Sequence, residues 1–427
     1  MEYAILTEDE FNNFEKDHIY GNFYQTSKWA TLKSKYGWSY SYVGIKDNGN
    51  IIGGALILKK SVFKGINIMY SPRGFLVDYN NSDLLKLFTK ELKKYAKKNG
   101  AIFVKIDPYV IYKERDNFGN IIDKGIDNSK VSDELIKLGY KYKSSGRLQP
   151  NLAFALSLKD KSIDEIFNNM EPTTRKMIRK NEKMGIYNRE IDKNELKLFT
   201  DIMNNTSERR EFIDRPYEYY LNMMETFKDD MKIMVAEINL KNYINNLEEE
   251  IEINNKEIIL KEKEIKENKK INIEKTNNII KELHNVIAGL EKRLIKGREL
   301  YKEKGEVLVL GSIMYLLHNK EILSLFGGAY GEYIDFMSTY TTNWNMIKYA
   351  KENGFEKYNF YGISTYTDKN DKMYGLYDFK RGFGGHVEEY LGEYDLVISK
   401  LLYFVYSTLY NKIYLKLKSK SIKKSSN

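Results

Sequence analysis

The alternation of apolar and polar positions divides the chain into two α/β stretches and one long helical insert. Thr7–Lys16 has helical periodicity, and Ser27 is placed to cap a second helix from Lys28 to Lys35. Trp29 and Leu32 then face inward, leaving Lys33 on the open side. Tyr40–Ile45 and Ile51–Lys60 alternate around Asp47-Asn48-Gly49-Asn50, a hairpin signal. Lys64–Tyr70 is another strand, and Ser71-Pro72-Arg73-Gly74 turns the chain. A helix begins at Asn81-Ser82-Asp83, ends in KYAKKNG at Gly100, and feeds the strand Ala101–Ile106 with Asp107 at its end. Residues 112–130 are polar and irregular, a short helix ends at Leu135–Gly139, and Pro150–Leu158 is a strand that crosses into the second stretch.

The same phrase returns as KYAKENG, ending at Gly354 after a helix over Trp344–Glu352 and before the strand Tyr358–Tyr361. Counted from Gly100 and Gly354, Asp107 and Tyr361 fall at matching places. A polar loop, Ser364–Lys372, precedes the compact segment Phe379-Lys380-Arg381-Gly382-Phe383-Gly384-Gly385. The chain therefore reads as two related α/β halves, 1–155 and 156–392, with 393–427 forming a C-terminal helix on the first.

Met231–Ile238 corresponds to Tyr40–Ile45, but about 65 residues precede its partner strand, Glu306–Leu317. Within them Ile244, Ile251, Ile258 and Ile265 recur every seven residues, with Leu247 between. On the return, Ile273, Ile280, Ile287, Leu294 and Tyr301 recur likewise, with Leu283 and Leu290 intermediate. Residues 240–304 thus read as an antiparallel two-helix coiled-coil arm with its tip at Asn268–Lys270. Whether the arm binds RNA or joins copies stays open, because its surface charges are mixed.

Composition narrows the chemistry. With 427 residues, 42% of them hydrophobic, the chain can build two or three cored domains. The absence of Cys excludes disulfides, thiolate catalysis and Cys-ligated zinc, and no two of the four His stand at metal-ligand spacing. No P-loop, GxSxG elbow or HExxH helix occurs. With no signal-peptide pattern and no spanning apolar run, a cytoplasmic protein is expected, with contact at the inner face of the membrane left open. Net charge +9 favours a polyanionic partner. Arg175 and Arg179 share one face of a basic helix that also carries Lys176 and Lys180, a candidate tRNA or phosphate patch.

The halves look like acetyltransferase (GNAT)-type units, yet the pyrophosphate loop that binds acyl-CoA is missing. QTSKWATLK, VKIDP, TRKMIRK, FIDRPYEYY, the helical arm, YNFYGIS and FKRGFGG, in this order and across nearly the whole chain, resemble the Fem ligases. These are aminoacyl-tRNA-dependent transferases that build peptidoglycan interpeptide bridges. The resemblance implies two GNAT-like domains and transfer of Gly, or else Ala or Ser, from tRNA to a stem-peptide amine. The acceptor would be lipid II or the UDP-linked precursor, and no cofactor or metal would be needed.

Matched motif by motif, the resemblance implies that Lys33, Arg215 and Tyr219 contact the muropeptide precursor. It places Lys380 at the tRNA acceptor end as oxyanion stabiliser, beside Phe379. Asp107 is the candidate to take the amine proton, with the tRNA ribose hydroxyl as substitute, and Tyr361 is a substrate-side residue by its match to Asp107. Association with itself or a related transferase is a further expectation. An acyltransferase with another activated donor such as acyl-CoA, and a non-enzymatic coiled-coil scaffold, are the alternatives.

Overall fold

A computed structural model of the chain describes residues 1–144, 147–267 and 272–409. The expected arm tip, Asn268–Lys270, and the Lys/Ser tail lie outside the described residues. Two mixed sheets organise the chain. The first runs, in spatial order, Glu2–Leu6, Ser39–Asp47, Asn50–Phe63, Ile66–Ser71, Ala101–Ile106, Glu393–Val397 and Tyr140–Lys143, with Leu76–Val77 paired beside Asn50–Phe63. The second runs Ile186–Glu190, Met231–Asn239, Val307–His318, Glu321–Ala329, Lys357–Ile363, Leu152–Ser157, His386–Tyr390 and Ile111–Glu114.

The internal repeat is real at the level of topology. In the first half a helix, Ser82–Lys98, carries the chain from Ile66–Ser71 to its parallel neighbour Ala101–Ile106. In the second, Ser338–Glu352 carries it from Glu321–Ala329 to parallel Lys357–Ile363. The sequence places that second helix six residues too short, because Ser338–Asn343 offers no apolar stripe of its own. Asn81 caps the first helix by accepting from Leu84 N at 3.0 Å, and Leu84, Leu85, Phe88, Leu92 and Ala96 form its buried face. Gly100 and Gly354, at φ +65° and +75°, follow the two helix ends in the left-handed conformation that glycine adopts at little cost.

The halves are interlaced. Leu152–Ser157, across which the expected boundary at 155 falls, lies wholly in the second sheet between Lys357–Ile363 and His386–Tyr390. Ile111–Glu114 also joins the second sheet. Glu393–Val397 returns to the first, between Ala101–Ile106 and Tyr140–Lys143. The expected C-terminal helix from 393 therefore begins as a strand, since Tyr394 and Leu396 alternate into the first core. The helix proper, 400–409, follows, and Tyr403 and Tyr406 lay their rings against Phe103 of the first sheet.

The arm grows from the second sheet as Leu240–Glu267 and Ile273–Lys304, between two strands still paired at Asn239 and Val307. Its seam buries Leu247, Ile258, Ile287, Leu290 and Leu294. Ile273 and Tyr301, expected in the seam, are exposed. At the base the ring of Tyr243 lies against Gly297, and half-buried Leu300 turns inward in place of Tyr301. A straight helix drifts against a seven-residue repeat, which accounts for the shift by one position. Tyr243, Leu247, Leu290 and Leu294 pack on Met184, Ile186, Tyr333 and Phe336, anchoring the base to the second half.

Candidate active site

The second-half strand Lys357–Ile363 stays parallel to Glu321–Ala329 for only three residue pairs, Glu321 to Leu323 against Lys357 to Asn359, and then the strands part. On its other side the register with Leu152–Ser157 breaks between Asn359 and Gly362. Tyr361 occupies this bulge with φ +65°, and its N–H is held by Asn359 Oδ1 at 2.8 Å. A tyrosine in the left-handed region is a strained residue, of the kind that clusters at functional sites. Phe360 and Tyr361 drop out of the ladder, which resumes with Gly362 opposite Ala153.

Lys380 reaches the backbone carbonyls at this bulge. Its Nζ donates to Gly362 O at 2.8 Å and Tyr361 O at 3.2 Å. The side chain is only 6% exposed, and burial draws its ammonium down to about 7. Among the described residues it has no acidic partner. The sequence suggests a tight turn here, but Tyr374–Arg381 is a helix and Lys380 stands in its last turn. The glycines come after: a Cβ on Gly382 would meet Thr174 Oγ1 at 2.3 Å, and one on Gly385 would meet Ala155 O at 2.1 Å. Phe379 turns away from the bulge and packs edge-on against Tyr340 and Phe383.

On the face toward the first half, Tyr361 closes a narrow cleft between the two sheets. Tyr24, Arg73, Tyr109, His318, Glu321, Asn359 and Tyr390 line it. The Tyr361 hydroxyl lies 2.8 Å from Gln149 Oε1 and 3.0 Å from the Tyr24 hydroxyl. Arg73 donates from Nη2 to Pro150 O at 2.8 Å and stacks over the Tyr390 ring at 4.4 Å. Behind the cleft, Lys357 Nζ reaches Glu388 at 2.8 Å and Glu321 at 3.4 Å, and Tyr109 donates to Glu321. Burial alone would neutralise Lys357, but the two carboxylates outweigh it and hold the ammonium charged.

Asp107 is part of this wall but faces inward. Oδ2 accepts from the Tyr70 hydroxyl at 3.0 Å, Oδ1 accepts from Arg73 N at 2.7 Å, and the residue is 3% exposed. Burial raises its carboxyl to about 6, against the pull of Arg73. With both oxygens engaged, its visible work is to fix the turn that presents Arg73.

At the outer end of the cleft, the helix Ser27–Ser34 supplies Lys33, the strand Asn50–Phe63 supplies Lys60, and the segment just before the helix Tyr217–Phe227 supplies Arg215. Thr26 caps Ser27–Ser34 by accepting from Trp29 N at 3.2 Å, a residue earlier than the sequence suggests. That helix packs on Tyr217–Phe227, with Lys28 Nζ on Asp230 at 2.5 Å and Lys35 Nζ on Asn222 Oδ1 at 2.8 Å. Lys33 lies over the Trp29 ring at 5.2 Å, and Arg215 over the Tyr219 ring at 5.5 Å. Burial draws Lys33 down to about 8, with Arg215 and then Lys60 adding repulsion. Three cations thus share a site where, among the described residues, none has an acidic partner. Tyr219 links this end to the interior: burial raises its phenol to about 12 while Arg215 opposes, and the phenols of Tyr36 and Tyr361 lie near it.

The basic helix, Pro172–Lys183, stands on the Lys380 side. Glu171 N donates to Gly382 O at 2.9 Å, and Glu171 pairs with Arg381 at 2.8 Å. Arg175 donates to the Asn168 carbonyl and Arg179 lies over the Phe167 ring, so they do share a face, with Arg175 half-buried and Arg179 exposed. Lys176 and Lys180 are exposed. The sequence reading passes over Arg73, Tyr24, Gln149, Lys60 and the Lys357–Glu321–Glu388 group. Only Arg73, in its Ser-Pro-Arg-Gly turn, carries a local signal.

The model of the FemAB family matches residues 6–411. Aminoacyltransferase FemA of Staphylococcus aureus (strain N315) is 32% identical over 418 residues, covering 96% of this chain and 98% of that one. FemA of strain MW2 is equally similar, with the same identity and coverage. A crystal structure of FemX superposes over 95% of this chain and 99% of its own, with TM-score 0.75 and 28% identity. The two-half α/β fold, the helical arm and the similarity over nearly the full length agree, and the chain belongs to the FemAB family.

Proposed function

We propose that this chain is an aminoacyltransferase of peptidoglycan interpeptide-bridge synthesis, moving an amino acid from its tRNA ester to the stem-peptide amine of a muropeptide precursor. The carrying observation is the cleft between the halves, with Lys33, Lys60 and Arg215 at its outer end, none with an acidic partner among the described residues, and Lys380 under the Tyr361 bulge. The similarity to FemA, itself named an aminoacyltransferase, supports the reaction class.

In this reading the outer cations hold the precursor's phosphates, with the arginine fork matching phosphate oxygens. The amine attacks the ester carbonyl, a C–N bond forms, and negative charge develops on the carbonyl oxygen. In its ammonium form Lys380 has three N–H bonds; two are taken by carbonyls, and the third is left for that oxyanion. The C–O bond then breaks, and the amine proton leaves with the ribose oxygen. Lys176 and Lys180, both exposed, are the proposed contacts for the tRNA acceptor arm. Glycine is the proposed donor residue, and the cytoplasm the site of action.

Incubating the protein with total charged tRNA and either lipid II or the UDP-linked precursor tests this, read by mass. A product heavier by one aminoacyl residue is expected. Unchanged precursor with every charged tRNA would sink the reading.

A further inference from the structure

Two exposed apolar features stand at one end of the first sheet, outside the cleft. One is the tip of the hairpin joining Asn50–Phe63 to Ile66–Ser71, where Val62 is 48% and Phe63 72% exposed. This tip adjoins the start of the strand Ala101–Ile106, since Asn67 N donates to Gly100 O at 2.9 Å. The other is the helix 400–409. It departs from the same strand start, where Ile102 O accepts from Ile398 N at 3.0 Å and Ser399 N at 3.1 Å. Its inner face is spent on Phe103. Its outer face presents Leu401, Phe404, Val405 and Leu409, exposed at 74%, 68%, 45% and 55%. Their spacing makes one continuous apolar stripe.

Lysines supply exposed charge beside these features, while Asp395, which accepts from the Tyr403 hydroxyl, is buried and paired with Lys105. Lys64, Lys97, Lys98 and Lys400 are exposed at this end, and among the described residues none is ion-paired. From Ser399 onward the sequence has no Asp or Glu, and seven lysines: Lys400, Lys412, Lys416, Lys418, Lys420, Lys423 and Lys424.

We propose that this end of the first half docks on the surface of an anionic lipid bilayer. The helix 400–409 lies in the interface with Leu401, Phe404 and Leu409 turned to the acyl chains, Phe63 enters beside it, and Lys64, Lys97, Lys98 and Lys400 face the headgroups. A nucleic acid would satisfy the lysines but would give the aliphatic stripe nothing to bury against. Lys60 lies on the same strand as Phe63, three residues or ~10 Å away. The outer cation cluster is thereby held near the interface, where a lipid-linked acceptor would carry its phosphates. That last point rests on the proposed function; the docking does not.

Sedimentation of the full chain with phosphatidylglycerol-containing vesicles, against phosphatidylcholine vesicles, tests the docking without any substrate. Binding is expected to the anionic vesicles only, weakening in high salt. The double variant Leu401→Glu/Phe404→Glu should bind about tenfold or more weakly, and Phe63→Ser should weaken it too. Circular dichroism and transfer to the soluble UDP-linked acceptor should stay unchanged in these variants. Absence of wild-type binding, or equal binding by the double variant, overturns the proposal. So does a wild-type dimer that the double variant converts to monomer without any vesicle binding, which would give the stripe to a second copy. So would retention of tRNA by the same lysines with no vesicle binding. Vesicle binding alongside failed transfer to both acceptors would remove the transferase reading and leave the docking standing.

Discussion

The hydroxyls of Tyr24 and Tyr361, one from each half, lie 3.0 Å apart and converge on Oε1 of Gln149, at 3.1 Å and 2.8 Å respectively. Burial pushes both phenols above their usual range. Each group constrains the other two, so losses here should not add. Tyr24→Phe and Tyr361→Phe should each cost about 1 kcal/mol, and the double variant should cost less than their sum by at least ~0.5 kcal/mol. Urea unfolding of the four-protein cycle checks this, and strict additivity would show that the triangle is not a unit.

Lys380 should separate chemistry from binding. Lys380→Ala should slow the chemical step by ~10²–10³, the usual loss for one oxyanion donor. Precursor affinity should barely change. Single-turnover transfer from charged tRNA, with precursor binding measured apart, reads both quantities. Near-normal transfer at saturating substrates would return Lys380 to bulge support alone.

The same lysine predicts a pH effect on stability. Burial lowers its ammonium from 10.5 to about 7, so between those values the unfolded chain holds a proton that the folded chain has lost. Stability should therefore rise with pH across that window. Lys380→Met should flatten the rise. Denaturant midpoints from pH 7 to about 10 compare the two proteins, and parallel profiles would contradict a buried, depressed lysine.

At the other end of the cleft, Lys33→Ala and Arg215→Ala should weaken precursor binding while the transfer step from a saturated complex stays near normal. Each loses a charge-assisted contact, ~1.5–3 kcal/mol or roughly ten- to a hundredfold in affinity. Binding by the wild type should fall with salt more steeply than binding by either variant. Titration of the precursor at two ionic strengths decides it, and equal salt slopes would place the phosphates elsewhere.

The arm should be removable in part more cheaply than as a whole. Replacing 252–288 by a short turn leaves Tyr243, Leu247, Leu290 and Leu294 on the second half. That variant should keep wild-type stability within about 1 kcal/mol. Replacing 240–304 strips those side chains from Met184, Ile186 and Phe336. At ~1.5–3 kcal/mol per buried side chain it should lose several kcal/mol while keeping both sheets. Loss of cooperative unfolding in the shorter deletion would contradict an inserted arm.

What the sequence discloses here is whatever is local. The repeat KYAK…NG, the hairpins and the heptads are set by neighbours a few residues apart, and the helices, parallel strands and arm follow from them. Glycines at 382, 384 and 385 suggest a turn around Lys380, yet the helix from Tyr374 runs through it because Tyr377 and Lys380, three apart, both bury against the strand behind. Gln149 and Tyr24 acquire meaning only from Tyr361, 212 and 337 residues away along the chain, and no periodicity reports such distances. The return of Glu393–Val397 to the first sheet is equally silent, since its alternation fits either sheet.

That return makes the two halves a clasp. The first sheet is completed by a strand made after the second half, and the second sheet by strands made before it. Neither half, expressed from a divided gene, carries all its own backbone partners. The chain passes between the sheets four times, so a jaw-like opening of the cleft would have to bend four crossings at once rather than flex one linker. Four crossings that must bend together restrain the width of the slot, so the side chains at its mouth govern what can enter.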